Sequence, residues 1–403
     1  SEAIKKAKDF GFEIEYLLPL TAEAEALLGP EFAGQKYIQV RILKKLGELA
    51  EFSCKKWTDG EYLVVDKDTH LFLPAKVIAY TSGQNELLSD PFYKLKYHYF
   101  NAWSAHPKNM GLLSEQHRLL FLDPHIHYAV FIANMLLAEK SKQDYLLQIL
   151  QIKELRSFRI TIQLNAIRNK PLDISISLSE KIRRLKQCAT TWVENTEGKK
   201  HLLILDFLVN EATVEAFRFH FHTALELFNV FYELEMLNLF LVSPQERKLM
   251  LRVDQSYHYV DEASVPDPSR LVFRIEKILL HKFVNEERNE TVDIDYKYLS
   301  DGEHQFNEVI GLLLMMETEG CLFLLDEPDT HFNPMWRAKM IEMLNQVSAT
   351  ACDVQGNIER VRRQEVIITT HSPFIISDTR REDVYKFEKT DHEVRYENPQ
   401  NIE

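Results

Sequence analysis

Apolar positions along this chain change period twice. Up to about residue 110 they fall in short runs, Glu13 to Leu18, Tyr37 to Leu43, Glu61 to Val65 and Lys76 to Tyr80, punctuated by Gly29-Pro30, Asp59-Gly60 and Ser82-Gly83. Such runs between turn pairs predict strands. From about 111 to 265 helical spacing takes over in Tyr128 to Leu137, Tyr145 to Ile152 and the aromatic-rich stretch Val214 to Leu241, broken once, with strands expected at Phe158 to Leu164 and Leu202 to Val209. After Leu271 the pattern is α/β again. Strands are expected at Leu271 to Leu280, Thr291 to Tyr298, Cys321 to Leu325 and Glu365 to Thr370; helices follow Gly302, where Phe306, Val309, Ile310 and Leu313 recur at helical spacing, and run from Met335 to Gln346 behind a first-turn Pro334. Ser348 to Gln364 is polar and expected to be a loop, and Val384 to Phe387 and Glu393 to Tyr396 finish as short strands. Three regions result: a β-rich part over 1–110, a mainly helical inserted domain over 111–265, and an α/β lobe over 266–403. No heptad pattern lasts long enough for a coiled-coil arm.

The candidate chemistry lies in the last region. The apolar run Cys321 to Leu325 reads as a buried strand of a parallel sheet, so Asp326 and Glu327 emerge at its C-terminal end, where open α/β sheets bind ligands. Two adjacent carboxylates there suit nucleotide chemistry: Asp326 to hold a magnesium ion, Glu327 to orient and deprotonate an attacking water. Ser300 and Gly302 sit at the start of a helix, where unpaired amides favour phosphate. The strand ending at Thr370 delivers His371 to the same edge, where it can bond a γ-phosphate or the attacking water. Lys76 to Tyr80 runs into the polar loop 81–86, which either sits beside the nucleotide or forms a plain surface turn.

These segments resemble the ABC-type ATPase heads of structural-maintenance-of-chromosomes, DNA-repair and overcoming-lysogenization-defect proteins. Leu299-Ser300-Asp301-Gly302-Glu303 looks like their signature motif, Leu322 to Glu327 like Walker B with its catalytic glutamate, Asp329-Thr330-His331-Phe332-Asn333-Pro334 like the D-loop, and His371 like the switch histidine. The resemblance covers about the last 110 residues. It implies an α/β P-loop NTPase head, a mixed sheet flanked by helices plus an antiparallel β part, with an inserted helical domain. It also implies ATP and Mg2+ as cofactors, with Ser300, Gly302, Glu303 and Asp329 binding nucleotide, Asp326 holding the metal, and Glu327 and His371 catalytic. Heads of this kind dimerise head-to-tail, so that the signature of one copy closes on ATP held by the other. Two departures stand out. Asp301 replaces the first glycine of the usual Ser-Gly-Gly-Gln or Ser-Gly-Gly-Glu form. None of the 12 glycines lies in a Gly-x-x-x-x-Gly-Lys-Ser/Thr arrangement, so the phosphate cradle is expected to precede Ser1, with a degenerate site as the second reading.

A narrower resemblance rests on Tyr80 to Glu86, Leu119-Leu120-Phe121-Leu122-Asp123, Leu-Ser-Asp-Gly-Glu-His-Gln from Leu299, and Asn398 to Glu403. These look like the restriction-system-associated and Septu-type anti-phage ATPases, in which Asp301 would be the family's own variant. It implies a separate HNH-type nuclease as partner and, in retron systems, a reverse transcriptase with its RNA and DNA. The alternative is a DNA-repair or chromosome-maintenance ATPase acting on DNA directly. A scaffold that binds ATP with little turnover is the third reading.

Composition removes other classes. With 403 residues, 45% hydrophobic and 27% charged, the chain can bury two or three cores, and no apolar run approaches the ~18 residues of a membrane helix. Cys54, Cys188, Cys321 and Cys352 form no Cys-x-x-Cys pair, so neither zinc nor a disulfide framework is indicated and a cytoplasmic setting is expected. A net charge of −13 argues against coating nucleic acid with the whole surface. Local DNA or RNA binding stays open at Lys181, Arg183, Arg184 and Lys186, and at Arg360, Arg362 and Arg363, although such runs are usually solvated faces. Phe92 to Phe100 interleaves rings with cations; it either stacks bases or packs a core while its lysines snorkel. His220 and His222, two apart, do not share a helix face, which argues against a metal site.

Overall fold

The computed structural model describes residues 11–57, 60–83, 85–105, 118–123, 126–164, 172, 174–196, 201–243, 245–247, 268–285, 287–351, 360–362, 364–389 and 394–399. The chain divides into two compact units, one of residues 1–77, 318–322 and 363–365, the other of 78–317, 323–362 and 366–403.

In the first unit, β1 (Phe12–Pro19) leads through α1 (Ala22–Leu28) to β2 (Tyr37–Lys44), β3 (Glu51–Lys56) and β4 (Leu63–Val65), forming an antiparallel sheet in that order. Thr21 caps α1 by accepting from the Ala24 amide at 3.2 Å, and Gly29 ends it at a φ of 97°, which a β-carbon would resist. Alternate residues Ile38, Val40 and Ile42 of β2 enter a core with Leu18, Phe32, Cys54, Val65 and Phe72. Tyr16 donates its hydroxyl to the Phe72 carbonyl, so the core's one phenol is satisfied.

The second unit holds a five-stranded sheet and the C-terminal ends of the strands of a four-stranded one. Along the chain come β5 (Lys76–Thr81), α2 (Glu86–Ala105), β6 (Leu119–Phe121), α3 (His127–Leu137), α4 (Lys140–Ile149) and β7 (Ile152–Gln163), then α5 (Ile176–Cys188), β8 (Thr191–Asn195), β9 (Leu202–Leu208), α6 (Glu211–His220) and α7 (Ala224–Met236). After these follow β10 (Phe273–Asn285), β11 (Glu290–Asp295), α8 (Asp301–Met315), β12 (Cys321–Asp326), α9 (Pro334–Ser348), β13 (Ala349–Ala351), β14 (Arg360–Arg362), β15 (Gln364–Thr369), α10 (Pro373–Asp378), β16 (Lys386–Lys389) and β17 (Val394–Glu397). One sheet has the order β15-β12-β5-β6. The Ser82 amide donates to the Asp326 carbonyl and the Glu327 amide to the Thr369 carbonyl. Strands β5, β12 and β15 therefore end side by side and run parallel. The other sheet, β11-β10-β7-β9-β8, is antiparallel and draws strands from both sides of residue 265.

Several expected boundaries move. The strand expected over Thr291 to Tyr298 stops at Asp295, whose carboxylate accepts from the Lys297 amide and turns residues 296–298 into a 3-10 turn. The long stretch Val214 to Leu241 breaks where Thr223 caps α7, accepting from the Glu226 amide at 3.1 Å. Strand β7 is longer than expected, and the loop expected over Ser348 to Gln364 carries the short antiparallel pair β13–β14, with 352–359 outside the described residues. The aromatic run Phe92 to Phe100 lies on α2 and buries Phe92, Tyr97 and Phe100, but the Lys96 side chain, only partly buried, pairs with Asp123 at 2.8 Å rather than reaching into solvent. Among the described residues no helix is long and apolar enough to cross a membrane.

Candidate functional site

The parallel strands of the second unit deliver Asp326 and Glu327 to a shared edge. Asp326 Oδ2 accepts from the Thr81 hydroxyl and the Asn85 side-chain amide, each at 2.9 Å, and Oδ1 accepts from the Thr369 hydroxyl. Thus the strands flanking β12 and the loop before α2 all orient one carboxylate. Burial opposes its charge, but the bonds from Thr369, Asn85 and Thr81, with nearby His371, outweigh that and hold the Asp326 carboxyl below its usual range. An oriented, ionised oxygen ligand of this kind fits Mg2+.

Glu327 leaves the strand at a φ of 50°, a left-handed conformation that side-chain-bearing residues adopt reluctantly. The turn is held because its amide donates to Thr369 while its carbonyl accepts from the Thr330 hydroxyl at 2.9 Å. It aims the Glu327 carboxylate at His371, whose Nε2 lies 3.5 Å from Oε1 and whose amide lies 3.5 Å from Oε2. The His371 side chain is 99% exposed, free to meet a ligand or an incoming surface.

The following turn is cross-tied. Asp329, 3% exposed, accepts from the Thr370 hydroxyl at 3.0 Å. Arg337 donates to the carbonyls of Asp329 and Thr330 at 3.1 and 2.7 Å, and the hydroxyls of Ser82 and Thr330 share a bond of 2.9 Å. Phe332 is buried against Phe306 and Trp336, and Asn333 caps α9 by accepting from the Trp336 amide.

Ser300 caps α8 in a reciprocal box: its hydroxyl accepts from the Glu303 amide at 3.3 Å, and Glu303 Oε2 accepts from the Ser300 amide at 2.8 Å. Glu303 Oε1 pairs with Lys282. Burial opposes the Glu303 charge, yet Lys282 and Ser300 prevail and keep its pKa low. The carboxylate therefore shapes the helix start. Gly302 also has a local reason: a β-carbon there would lie 2.5 Å from the His331 carbonyl oxygen. What the glycine admits within this chain is the backbone of the turn after Glu327.

Asp326, Glu327, Asp329 and His371 thus converge, and Gly302 meets the same turn. That Thr81, Asn85 and Thr369 hold Asp326, and that Arg337 and Gln305 support the turn, is not evident from the sequence. Thr81 ends β5, Asn85 lies in the loop after it and Thr369 ends β15, but only strand order shows that they face Asp326; Gln84 lies outside the described residues. The basic cluster on α5 is paired: Lys181 with Glu233 at 2.7 Å, Arg183 with Glu180, and Lys186 with Glu194 at 2.6 Å. Arg363 and the side chains of Arg360 and Arg362 lie outside the description.

A family model described as "AAA domain, putative AbiEii toxin, Type IV TA system" matches residues 125–377, more than half the chain and a span that includes Ser300 to Glu303, Asp326 to Asp329 and His371. No curated protein matches significantly. Parallel and antiparallel sheets in one α/β unit are consistent with a P-loop NTPase domain. The chain belongs to this AAA-domain family of P-loop ATPases.

Proposed function

We propose that the protein is an ABC-type ATPase that binds ATP with Mg2+, dimerises head-to-tail around it, and regulates a partner nuclease of the HNH type in an anti-phage defence system. One observation carries the hydrolytic part. Asp326 is held ionised by three neutral donors while the adjacent Glu327, in a left-handed turn, faces His371 at 3.5 Å. In this reading Asp326 anchors the metal, which neutralises phosphate charge when bound. Glu327 orients and deprotonates the attacking water, and His371 steadies the γ-phosphate or that water. Ser300, Gly302, Glu303 and Asp329 form the nucleotide-facing ends of the signature and D-loop, Glu303 through its hold on the helix start.

The family's link to a toxin of a type IV toxin–antitoxin system supports a role in abortive defence. Direct action on DNA is less favoured because the cations of the α5 cluster are engaged by Glu233, Glu180 and Glu194. A reverse transcriptase with its nucleic acid remains a partner class within the defence reading. The test is steady-state ATP hydrolysis by the intact protein with and without Mg2+, together with purification from its native host. Mg2+-dependent turnover and a copurifying HNH nuclease are expected. ATP-dependent capture of DNA ends by the protein alone would move it to the repair class, and nucleotide binding without turnover would make it a scaffold.

A further inference from the structure

Gln305, one turn beyond Gly302 on α8, is 2% exposed and uses both ends of its side chain. Its amide nitrogen donates to the Tyr80 hydroxyl at 2.9 Å, and its carbonyl oxygen accepts from the His331 amide at 3.0 Å. Each partner stands a short step from a carboxylate. Tyr80 precedes Thr81, whose hydroxyl donates to Asp326. His331 follows Thr330, whose amide and hydroxyl both donate to the Glu327 carbonyl. The other side of the His331 peptide is closed by Gly302, where no β-carbon fits. The helix start cannot slide without moving this peptide, and separating either contact would strand a buried polar group.

We propose that Gln305 is a positioning residue that registers the start of α8 against both Asp326 and Glu327, so that a shift of the signature end is felt at the metal-binding and water-orienting carboxylates. The inference rests on the hydrolytic reading of those two groups. Gln305 acts through Tyr80 and His331.

Two variants of the intact protein test it. Gln305→Leu removes both bonds at similar volume, and Tyr80→Phe removes only the arm toward Asp326. Thermal melts establish that each folds. Mn2+ binding in the presence of ATP, read by electron paramagnetic resonance in a Glu327→Gln background, reports the Asp326 arm without turnover. Each variant is expected to weaken Mn2+ about tenfold, as loss of support behind a metal ligand does. With Glu327 intact, Gln305→Leu is expected to lower kcat about tenfold while KM for ATP stays within about twofold, the signature of lost register rather than lost binding. Folded variants with unmodified Mn2+ affinity and kcat overturn the proposal. Should Gln305→Leu fail to fold, Mn2+ affinity in Tyr80→Phe decides. If the unmodified protein does not hydrolyse ATP but the variants still lose Mn2+, the positioning stands and the hydrolytic reading falls. Absence of Mn2+ binding by every form overturns both.

Discussion

The antiparallel sheet with its helices and the edge where β12 and β15 end handle charge in opposite ways. In the first, opposite charges meet: Arg159 grips Asp206 with two bonds, Lys181 holds Glu233, and Lys186 holds Glu194. In the second, Asp326 is held by hydroxyls and an amide. A cation partner cancels a carboxylate locally, whereas neutral donors fix its direction and leave its charge to act on something else. Strained backbone does not separate them, since Lys277 within β10 takes a φ of 55° and Glu327 at the edge one of 50°. The sheet region pairs its charges and packs Phe158 flat on Phe207 at 4.4 Å, whereas the edge holds a carboxylate with neutral donors where chemistry is proposed.

The largest expected effect is on the edge. Glu327→Gln should lower ATP hydrolysis by roughly a hundredfold or more and accumulate an ATP-bound dimer in size-exclusion runs; turnover at the unmodified rate would remove the role assigned to Glu327. Next comes Glu308, a buried carboxyl on α8 whose pKa burial and the neighbouring Asp123 push up to about 8. Its ordinary value is 4.5, so between these limits the folded state keeps a proton that the unfolded state has shed. Stability from this group is present below about 4.5 and lost as pH rises to about 8. Glu308→Gln should flatten that decline, with a gain of a few kcal/mol at pH 8 in denaturant titrations.

Smaller effects sharpen the contrast. Gly302→Ala should cost about 1–3 kcal/mol, since the added methyl meets fixed backbone; Gly83, with nothing within 4 Å of its missing β-carbon, should accept alanine at far smaller cost. Glu233→Gln, which breaks a partly buried pair, should cost about 1–2 kcal/mol in the melt. Its hydrolysis per folded molecule should stay unchanged. A comparable loss of turnover there would mean that the two regions are not separable.

Much of this was legible early because it is local. The apolar run before Asp326, the turn pairs, and the serine and glutamate around Gly302 each carry their physics within a few residues. What failed to show was set by distant partners. Lys96 sits on a helix whose pattern suggests snorkelling, yet Asp123, just past β6, supplies a buried counter-charge. Gly302 stands at the phosphate-favouring start of α8, and that the His331 carbonyl lies against it depends on the fold.

The sequence by itself determined that this chain makes strands, helices and an acidic strand end followed by a histidine-bearing one, since periodicity and short-range capping need no distant partner. Only the tertiary structure decided that β5 and β15 flank β12, and hence that Thr81, Asn85 and Thr369 hold Asp326 while Gln305 reaches His331. Hydrogen bonds between residues some 26 to 245 positions apart depend on strand order, and strand order is fixed by how whole faces pack, which no short window of residues encodes.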